Sequence, residues 1–282
     1  MDSKELTKVA EETLACVKEQ RYTNKEGRSL SLDKLIPPCV RMSQLYKPDH
    51  FEKKGKPESK FFESPEITVT RESTLEAACR LKDENPGVFN FASAKNPGGG
   101  FLWGSPAQEE TIARASALYP SLVKHAEYYE MNKQSEKDSS AFYLDYTIYS
   151  PKVPIFRNDA CEFLDEPYCV SVITSPAPKR NKIEQDIDHF ELDMSIEDME
   201  VRLEATLTSR LMHVLNVMVD NGHSTIILGA WGCGAFGNDP EMVTRVFKKC
   251  LTAMPYFDSI VFAIYDSANS KVFKTFDEVF SS

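Results

Sequence analysis

Two glycine-rich stretches and one acidic pair are the residues of this sequence whose types and spacing can do chemistry. The first stretch is Asn96-Pro97-Gly98-Gly99-Gly100-Phe101, and the second is Gly229-Ala230-Trp231-Gly232-Cys233-Gly234-Ala235-Phe236-Gly237. Glycines let a backbone approach a ligand closely, and successive N–H groups there can cradle an anion. Neither stretch fits the dinucleotide-binding or the P-loop spacing, so each alone is no more than a flexible turn. Two of them in equivalent contexts point to a bound phosphate or diphosphate. The acidic pair is Glu109-Glu110, preceded by Gln108, with seven residues separating Gly100 from Gln108. Acidic residues suit the first turn of any helix because of its dipole. Beside an anion site, however, a negative pair is electrostatically costly, and catalysis is one reason to accept that cost.

The elements around these residues place both loops at the same edge of a sheet. Val88-Phe89-Asn90-Phe91-Ala92 precedes the first loop and Thr225-Ile226-Ile227-Leu228 precedes the second; both are nearly continuous apolar runs. Cys169-Val170-Ser171-Val172-Ile173 has the same character, which suits strands covered on both faces. Ligands of open α/β sheets sit beyond the carboxyl ends of such strands. Further strands are expected at 67–70, 146–149, 153–156 and 259–265, and helices at 1–20, 33–46, 73–83, 109–118, 120–133, 195–221 and 240–253. Ser73-Thr74-Leu75-Glu76 is a capping-box pattern, and Asn238-Asp239-Pro240 supplies an N-cap followed by a proline at the first helical position. The acidic run 184–200 reads as a solvated loop leading into a helix. The alternation predicts an α/β fold: a three-layer α/β/α sandwich with a mixed central sheet. The polar stretch 47–66, rich in Lys, Glu, Pro and Gly, reads as a linker. It divides an N-terminal helical extension, 1–64, from a main domain, 65–282.

Composition narrows the function classes. A chain of 282 residues buries a sizeable core without a metal or disulfide. The net charge of −10 argues against a protein that grips duplex nucleic acid by its phosphates. It leaves room for a small phosphorylated ligand held by backbone N–H groups. The seven cysteines are odd in number and show no CxxC spacing, as expected of reduced thiols. The five histidines do not cluster with them, so neither a metal nor a cofactor is expected. The polar N-terminus carries no secretory h-region, and no apolar run reaches the roughly 18 residues of a membrane span. A cytoplasmic or nuclear protein without a membrane partner is expected.

The run from Asn90 to Phe101, followed by Gln108-Glu109-Glu110, resembles the signature of poly(ADP-ribose) glycohydrolases in the macrodomain superfamily: a glycine triplet, a short spacer, then Gln-Glu-Glu. The blocks 112–119, 149–157, 173–178 and 228–240 are similar to the microbial, bacterial-type branch. The likeness spans about 65–270, and 1–64 carries no motif; a cover over the adenine–ribose side is one role open to it. The resemblance implies a macrodomain-like fold and hydrolysis of the ribose–ribose O-glycosidic bonds of poly(ADP-ribose) from the free end. It implies ADP-ribose as product, ADP-ribosylated proteins as partners, a monomer, and a place in the DNA damage response. It also assigns roles. Glu110 would be the catalytic acid and Glu109 would contact ribose hydroxyls. Gly98, Gly99 and Gly100 would shape the catalytic loop, with Gln108 beside them. Asn96 would orient the terminal ribose. Gly232, Cys233, Gly234 and Ala235 would offer N–H groups to the diphosphate, and Phe236 would pack over the ribose.

Leaving-group protonation needs a carboxyl that holds a proton near neutral pH. A helix N-terminus favours the charged form of such a group, whereas burial, a second carboxyl and a bound diphosphate favour the neutral one. Adjacent helix residues project about 100° apart, so Glu109 and Glu110 are expected to diverge, with Glu110 serving first as acid and then as base. Cys233 lacks a nearby His or Asp partner, and Trp231 reads as core. Trp103 lies in the catalytic loop. Arg114 stands one turn from Glu110, in reach of a helical ion pair. Lys179, Arg180 and Lys182 form a basic cluster that reads as a solvated surface, with contact to polymer phosphates as the alternative. The competing functions are hydrolysis of mono-ADP-ribosyl conjugates and a macrodomain that binds ADP-ribose without cleaving it.

Overall fold

The computed structural model describes residues 1–55, 57, 59–266 and 270–281. Its helices are α1 (Ser3–Glu19), α2 (Ile36–Met42), α3 (His50–Lys54), α4 (Thr74–Arg80), α5 (Gln108–Ala115), α6 (Leu118–Val123), α7 (Ala126–Ser139), α8 (Arg180–Asp188), α9 (Ile196–Asp220), α10 (Pro240–Ala253) and α11 (Lys271–Phe280). Its strands are β1 (Arg21–Thr23), β2 (Ser29–Ser31), β3 (Gln44–Tyr46), β4 (Glu66–Thr70), β5 (Gly87–Phe91), β6 (Thr147–Arg157), β7 (Phe163–Ser175), β8 (Thr225–Leu228) and β9 (Ser259–Ala263). Seven strands form one mixed sheet in the order β3-β6-β7-β5-β8-β9-β4. The pairings from β7 through β5, β8 and β9 to β4 are parallel, while β6 pairs antiparallel with both β7 and β3.

The apolar strands are buried on both faces, as their composition predicts. One face packs α9, α10 and α11 around Leu203, Leu207, Phe247, Phe262 and Phe276. The other packs α4, α5, α6 and α7 around Leu75, Ile112, Leu118, Leu122 and Tyr128. The three-layer sandwich with a mixed central sheet is therefore what the alternation predicts. Ser73 and Glu76 form the expected capping box of α4, and Asp239 caps α10 with Pro240 in its first turn.

Several elements differ from expectation. The two strands expected at 146–149 and 153–156 are one strand, β6, with register shifts between Ser150 and Val153, where Lys152 takes a positive φ of 48°, and between Ile155 and Arg157. The start of the acidic run, 184–188, is helical as the second half of α8. Arg180 pairs with Glu184 and Glu200, and Lys182 with Asp186. Those pairs engage Glu184, Asp186 and Glu200 and also occupy two of the three basic side chains weighed as a contact for polymer. Residues 1–64 are not set apart from the rest: β3 is an edge strand of the main sheet, and α1 packs on α5 and on the turn Phe101–Trp103. This segment thus lies against the loop that follows the glycine triplet. Among the described residues, no helix is long and apolar enough to cross a membrane.

Candidate active site

The carboxyl ends of β5, β7, β8 and β9 open onto a cavity of about 930 Å³. Its walls include Phe91, Gln108, Glu109 and Glu110 on one side and Ala230 to Phe236 on the other, so the topology brings the second glycine loop and the acidic pair together; Gly98, Gly99 and Gly100 are outside the lining and meet the site through the Gly100 N–H, which donates to Glu110.

The first wall is built by α5. The helix begins at Gln108 behind Ala107, which offers no side-chain cap, so the positive end of its dipole faces the two carboxyls. Gln108 sets its position. β5 pairs with β8 only at Gly87 and Val88, and the sheet splays beyond that point. The Gln108 amide fills the gap as a neighbouring strand would: Phe91 N–H donates to its Oε1 (2.8 Å), and its Nε2 donates to the Phe89 carbonyl (2.8 Å) and to Thr74 Oγ1 (3.1 Å). Although Gln108 lines the cavity, its amide is occupied by the protein, and it positions the helix that carries the acids.

Glu109 and Glu110 follow on the same turn. Glu110 Oε1 accepts from the Gly100 N–H at 2.8 Å. Glu109 Oε2 accepts from Ser93 N–H at 2.6 Å, and its Oε1 lies 3.5 Å from Asn90 Nδ2. Glu109 is the deeper of the two, 2% exposed against 9%. Burial pushes its carboxyl well above the usual range, reinforced by the neighbouring Glu110 and opposed by the Ser93 and Asn90 hydrogen bonds. The carboxyl ends do not diverge as the helical angle suggests. A Cβ placed on Gly99 would stand 2.3 Å from Glu110 Oε1 and 3.0 Å from Glu109 Oε2. Both long side chains curl towards one glycine, whose φ of 60° further excludes a side chain.

Arg114 does not pair with Glu110. Its Nη1 donates to the Ser105 carbonyl at 2.6 Å and so ties down the far end of the catalytic loop. Asn96 is exposed and lies outside the cavity lining. Its carbonyl accepts from Gly99 N–H at 3.0 Å, so it closes the turn rather than facing a ligand. The asparagine beside the acids is Asn90, wholly buried on β5 and 3.1 Å from Thr174 Oγ1. Sequence reasoning missed it, although an amide at the same strand parity as Val88 within an apolar run is a signal of buried polar work.

The second wall is the loop between β8 and α10. Trp231 N–H donates to Gly229 O, Cys233 N–H to Ala230 O, Gly237 N–H to Gly234 O and Asn238 N–H to Gly232 O. Among the described residues, the N–H groups of Gly232, Gly234, Ala235 and Phe236 have no protein acceptor. Four free donors along one short loop make an anion cradle; Cys233 N–H, already bonded, is not among them. Asn238 pins the loop by donating to Pro178 O at 2.9 Å. A side chain on Gly232 would strike Asn238 and also Ala177 Cβ at 2.7 Å, and its φ is 77°.

Burial raises the Cys233 thiol to about 12, so it is protonated at neutral pH and is no nucleophile. Trp231 is 1% exposed and packs on Phe89 at 5.1 Å between ring centroids, as expected of core. Phe236 is half-buried at the cradle's edge, with Lys179 Nζ 5.9 Å from its ring centroid.

Known proteins share the family and the fold of this chain. The family described as the catalytic domain of microbial-type PARG matches residues 10–158. The poly(ADP-ribose) glycohydrolase of Thermomonospora curvata is similar to this chain over 98% of its length and 99% of the other, with 36% identity and a TM-score of 0.87. The same protein bound to the inhibitor ADP-HPD superposes over the same extents with a TM-score of 0.84. The poly(ADP-ribose) glycohydrolase of Deinococcus radiodurans in complex with ADP-ribose is 36% identical over 86% of this chain and 96% of the other, with a TM-score of 0.74. No curated protein sequence matches the chain.

Proposed function

The chain belongs to the microbial-type poly(ADP-ribose) glycohydrolase family and is a poly(ADP-ribose) glycohydrolase, and we propose that Glu110 does its acid–base chemistry. The observation that carries this reading is the pairing of two walls: the Glu110 carboxyl on one side of the cavity, and four unpartnered N–H groups on the other. A diphosphate held by Gly232, Gly234, Ala235 and Phe236 brings the distal ribose towards α5. Gly100 N–H fixes the Glu110 carboxyl at the glycosidic oxygen through Oε1 and leaves its other oxygen for proton transfer. Glu110 protonates the departing ribose oxygen, and then takes the proton of the attacking water.

Glu109 has a different part. Burial favours its neutral form, which donates a hydrogen bond to a ribose hydroxyl and keeps a second negative charge away from the diphosphate. Phe236 covers the ribose. The two acids share one side of the cavity and do not bracket the sugar as the carboxyls of most glycosidases do. The phosphates of the substrate therefore help to stabilise the oxocarbenium-like state. Cleavage proceeds from the free end and releases ADP-ribose. The seven free thiols suit a reducing compartment, cytoplasm or nucleus, where ADP-ribosylated proteins are the targets.

Incubation with defined poly(ADP-ribose) and with mono-ADP-ribosyl protein, followed by product chromatography, tests this reading. Polymer should yield ADP-ribose. Glu110→Gln should lower kcat by roughly 10²–10⁴-fold, the usual worth of a general acid, with ADP-ribose affinity retained by calorimetry. Loss of binding along with activity, or release from mono-ADP-ribosyl protein alone, refutes it.

A further inference from the structure

Of the two tryptophans in this chain, Trp231 is buried in the core and Trp103 is 65% exposed. A single exposed aromatic is ordinary; what distinguishes Trp103 is its mounting. It sits on the turn Phe101–Trp103, immediately after the glycine triplet. Trp103 N–H donates to the Gly100 carbonyl at 3.0 Å, and the Gly100 N–H holds Glu110 Oε1 at 2.8 Å. The Trp103 backbone therefore stands one hydrogen-bonded turn from the acid, and its exposed side chain lies outside the cavity lining. Its backbone is clamped from outside as well. Ser3 Oγ donates to the Trp103 carbonyl at 2.8 Å, and Gly104 lies so close to Ser3 that no side chain fits between them. Beneath the turn, Phe101 is wholly buried among Ala10 and Ala113. The loop is thus fixed while its largest apolar surface is left in water.

The chemistry of the substrate says what would cover that surface. In poly(ADP-ribose) the oxygen that departs is the 2′-oxygen of an adenosine, so an adenine ring is attached to the very ribose that leaves. We infer that the exposed indole of Trp103, whose backbone is held one turn from Glu110, is a stacking platform for the adenine of the neighbouring unit, the one whose ribose carries the leaving 2′-oxygen. This rests on the glycohydrolase reading and deepens it, giving the catalytic loop a leaving-group subsite distinct from the diphosphate cradle. Stacking there holds the departing ribose against Glu110 at the moment of protonation and favours polymer over substrates whose leaving group has no base.

Two measurements test it. In the first, an ADP-ribose dimer is compared with a trifluoroethyl glycoside of ADP-ribose, whose leaving group is small and aliphatic. Trp103→Ala should lower kcat/KM on the dimer by roughly 5- to 150-fold more than on the glycoside, the range set by a base–aromatic stack, and Trp103→Phe should recover most of the difference. Equal losses on both substrates overturn the inference. Wild-type protein that cleaves neither overturns the glycohydrolase reading instead. The second reads binding without turnover. In Glu110→Gln, the dimer should quench the emission of the exposed indole and ADP-ribose should not, and the quench should vanish when Trp103→Phe is added. Quenching by ADP-ribose alone, or dimer binding that leaves the emission unchanged, refutes the assignment.

Discussion

Replacing Gly99 with alanine tests the catalytic loop most directly, because a single methyl group is aimed at both acids. The new Cβ would stand 2.3 Å from Glu110 Oε1 and 2.9 Å from its Cδ, where ordinary contact begins near 3.4 Å. One of the two must move by about 1 Å. The loop is held by Gly100, Asn96 and Ser105, so the carboxylate is the part that yields. A displacement of about 1 Å at a reacting group costs roughly 10²-fold in rate. Alanine also resists the φ of 60° at this position, at about 1–2 kcal/mol. For a domain of this size that is a loss of roughly 2–8 °C in Tm. ADP-ribose affinity should change only a few-fold, because the diphosphate cradle lies on the other wall. Gly234→Ala is the control: its Cβ meets nothing within 4 Å and its φ is not positive, so its Tm should equal that of wild type. Chromatographic release of ADP-ribose and thermal melting measure both variants. A Gly99→Ala protein that keeps more than half of the wild-type kcat would falsify the claim that this glycine makes room for the acids.

Three further substitutions separate the roles of the surrounding groups. Burial holds the folded-state pKa of Glu109 above the unfolded value of about 4.3, so the stability it contributes is complete below that pH and is lost as pH rises towards the folded value. Glu109→Gln removes the titration; its stability relative to wild type, from denaturant midpoints at several pH values, should grow as pH rises above about 4, and a pH-independent difference would count against a buried neutral acid. Gln108→Ala strips the β5 edge of its partner, and the unpaired Phe91 N–H and Phe89 carbonyl should cost about 1–3 kcal/mol. Amide exchange at Phe91 should accelerate in that variant, and an unchanged rate contradicts the assigned role. Cys233→Ala should keep kcat within about two-fold, because a thiol raised to about 12 is neutral at the working pH; a ten-fold loss restores the thiol as a participant.

What was legible in the sequence was whatever is local. The glycine triplet, the second loop and the acidic pair each declare themselves within a dozen residues, and the apolar runs that became β5, β7 and β8 fix the edge of the sheet where they meet. Position in three dimensions was less legible. Asn96 stands next to the triplet in sequence, yet its backbone turns it outward, whereas Asn90 reaches Glu109 through the pleat of β5. Gln108 belongs to the recognised motif, but its work depends on the place where β8 parts from β5, and that register is invisible before the sheet is assembled. The residues between the two expected strands, Ser150-Pro151-Lys152, are absorbed as an irregularity inside one paired strand. The expected loop at 184–188 is a helix whose acids find Arg180 and Lys182 one turn earlier, pairs that the spacing already offered, while Ser140, the third partner, is brought up by tertiary packing.

The N-terminal segment shows how that blindness bears on function. Composition sets it apart as an extension, and its short elements carry no chemistry of their own. In the fold, Thr13 Oγ1 donates to the Arg114 carbonyl at 2.6 Å in a buried bond at the end of α5, and Glu12 pairs with the buried Arg157 beside it. Arg114 in turn holds Ser105, and Ser3 holds Trp103. The helix that bears the acids and the far end of the loop that orients them are thus braced by α1. A catalytic loop with three consecutive glycines has large conformational entropy to lose on ordering, and within its own sequence only the short turn Phe101–Trp103 offers regular structure to offset that loss. Contacts from α1 supply the rest, so preorganisation of Glu110 depends on a segment some hundred residues away in the chain. In this enzyme the residues that perform the reaction and the residues that make it fast are encoded far apart.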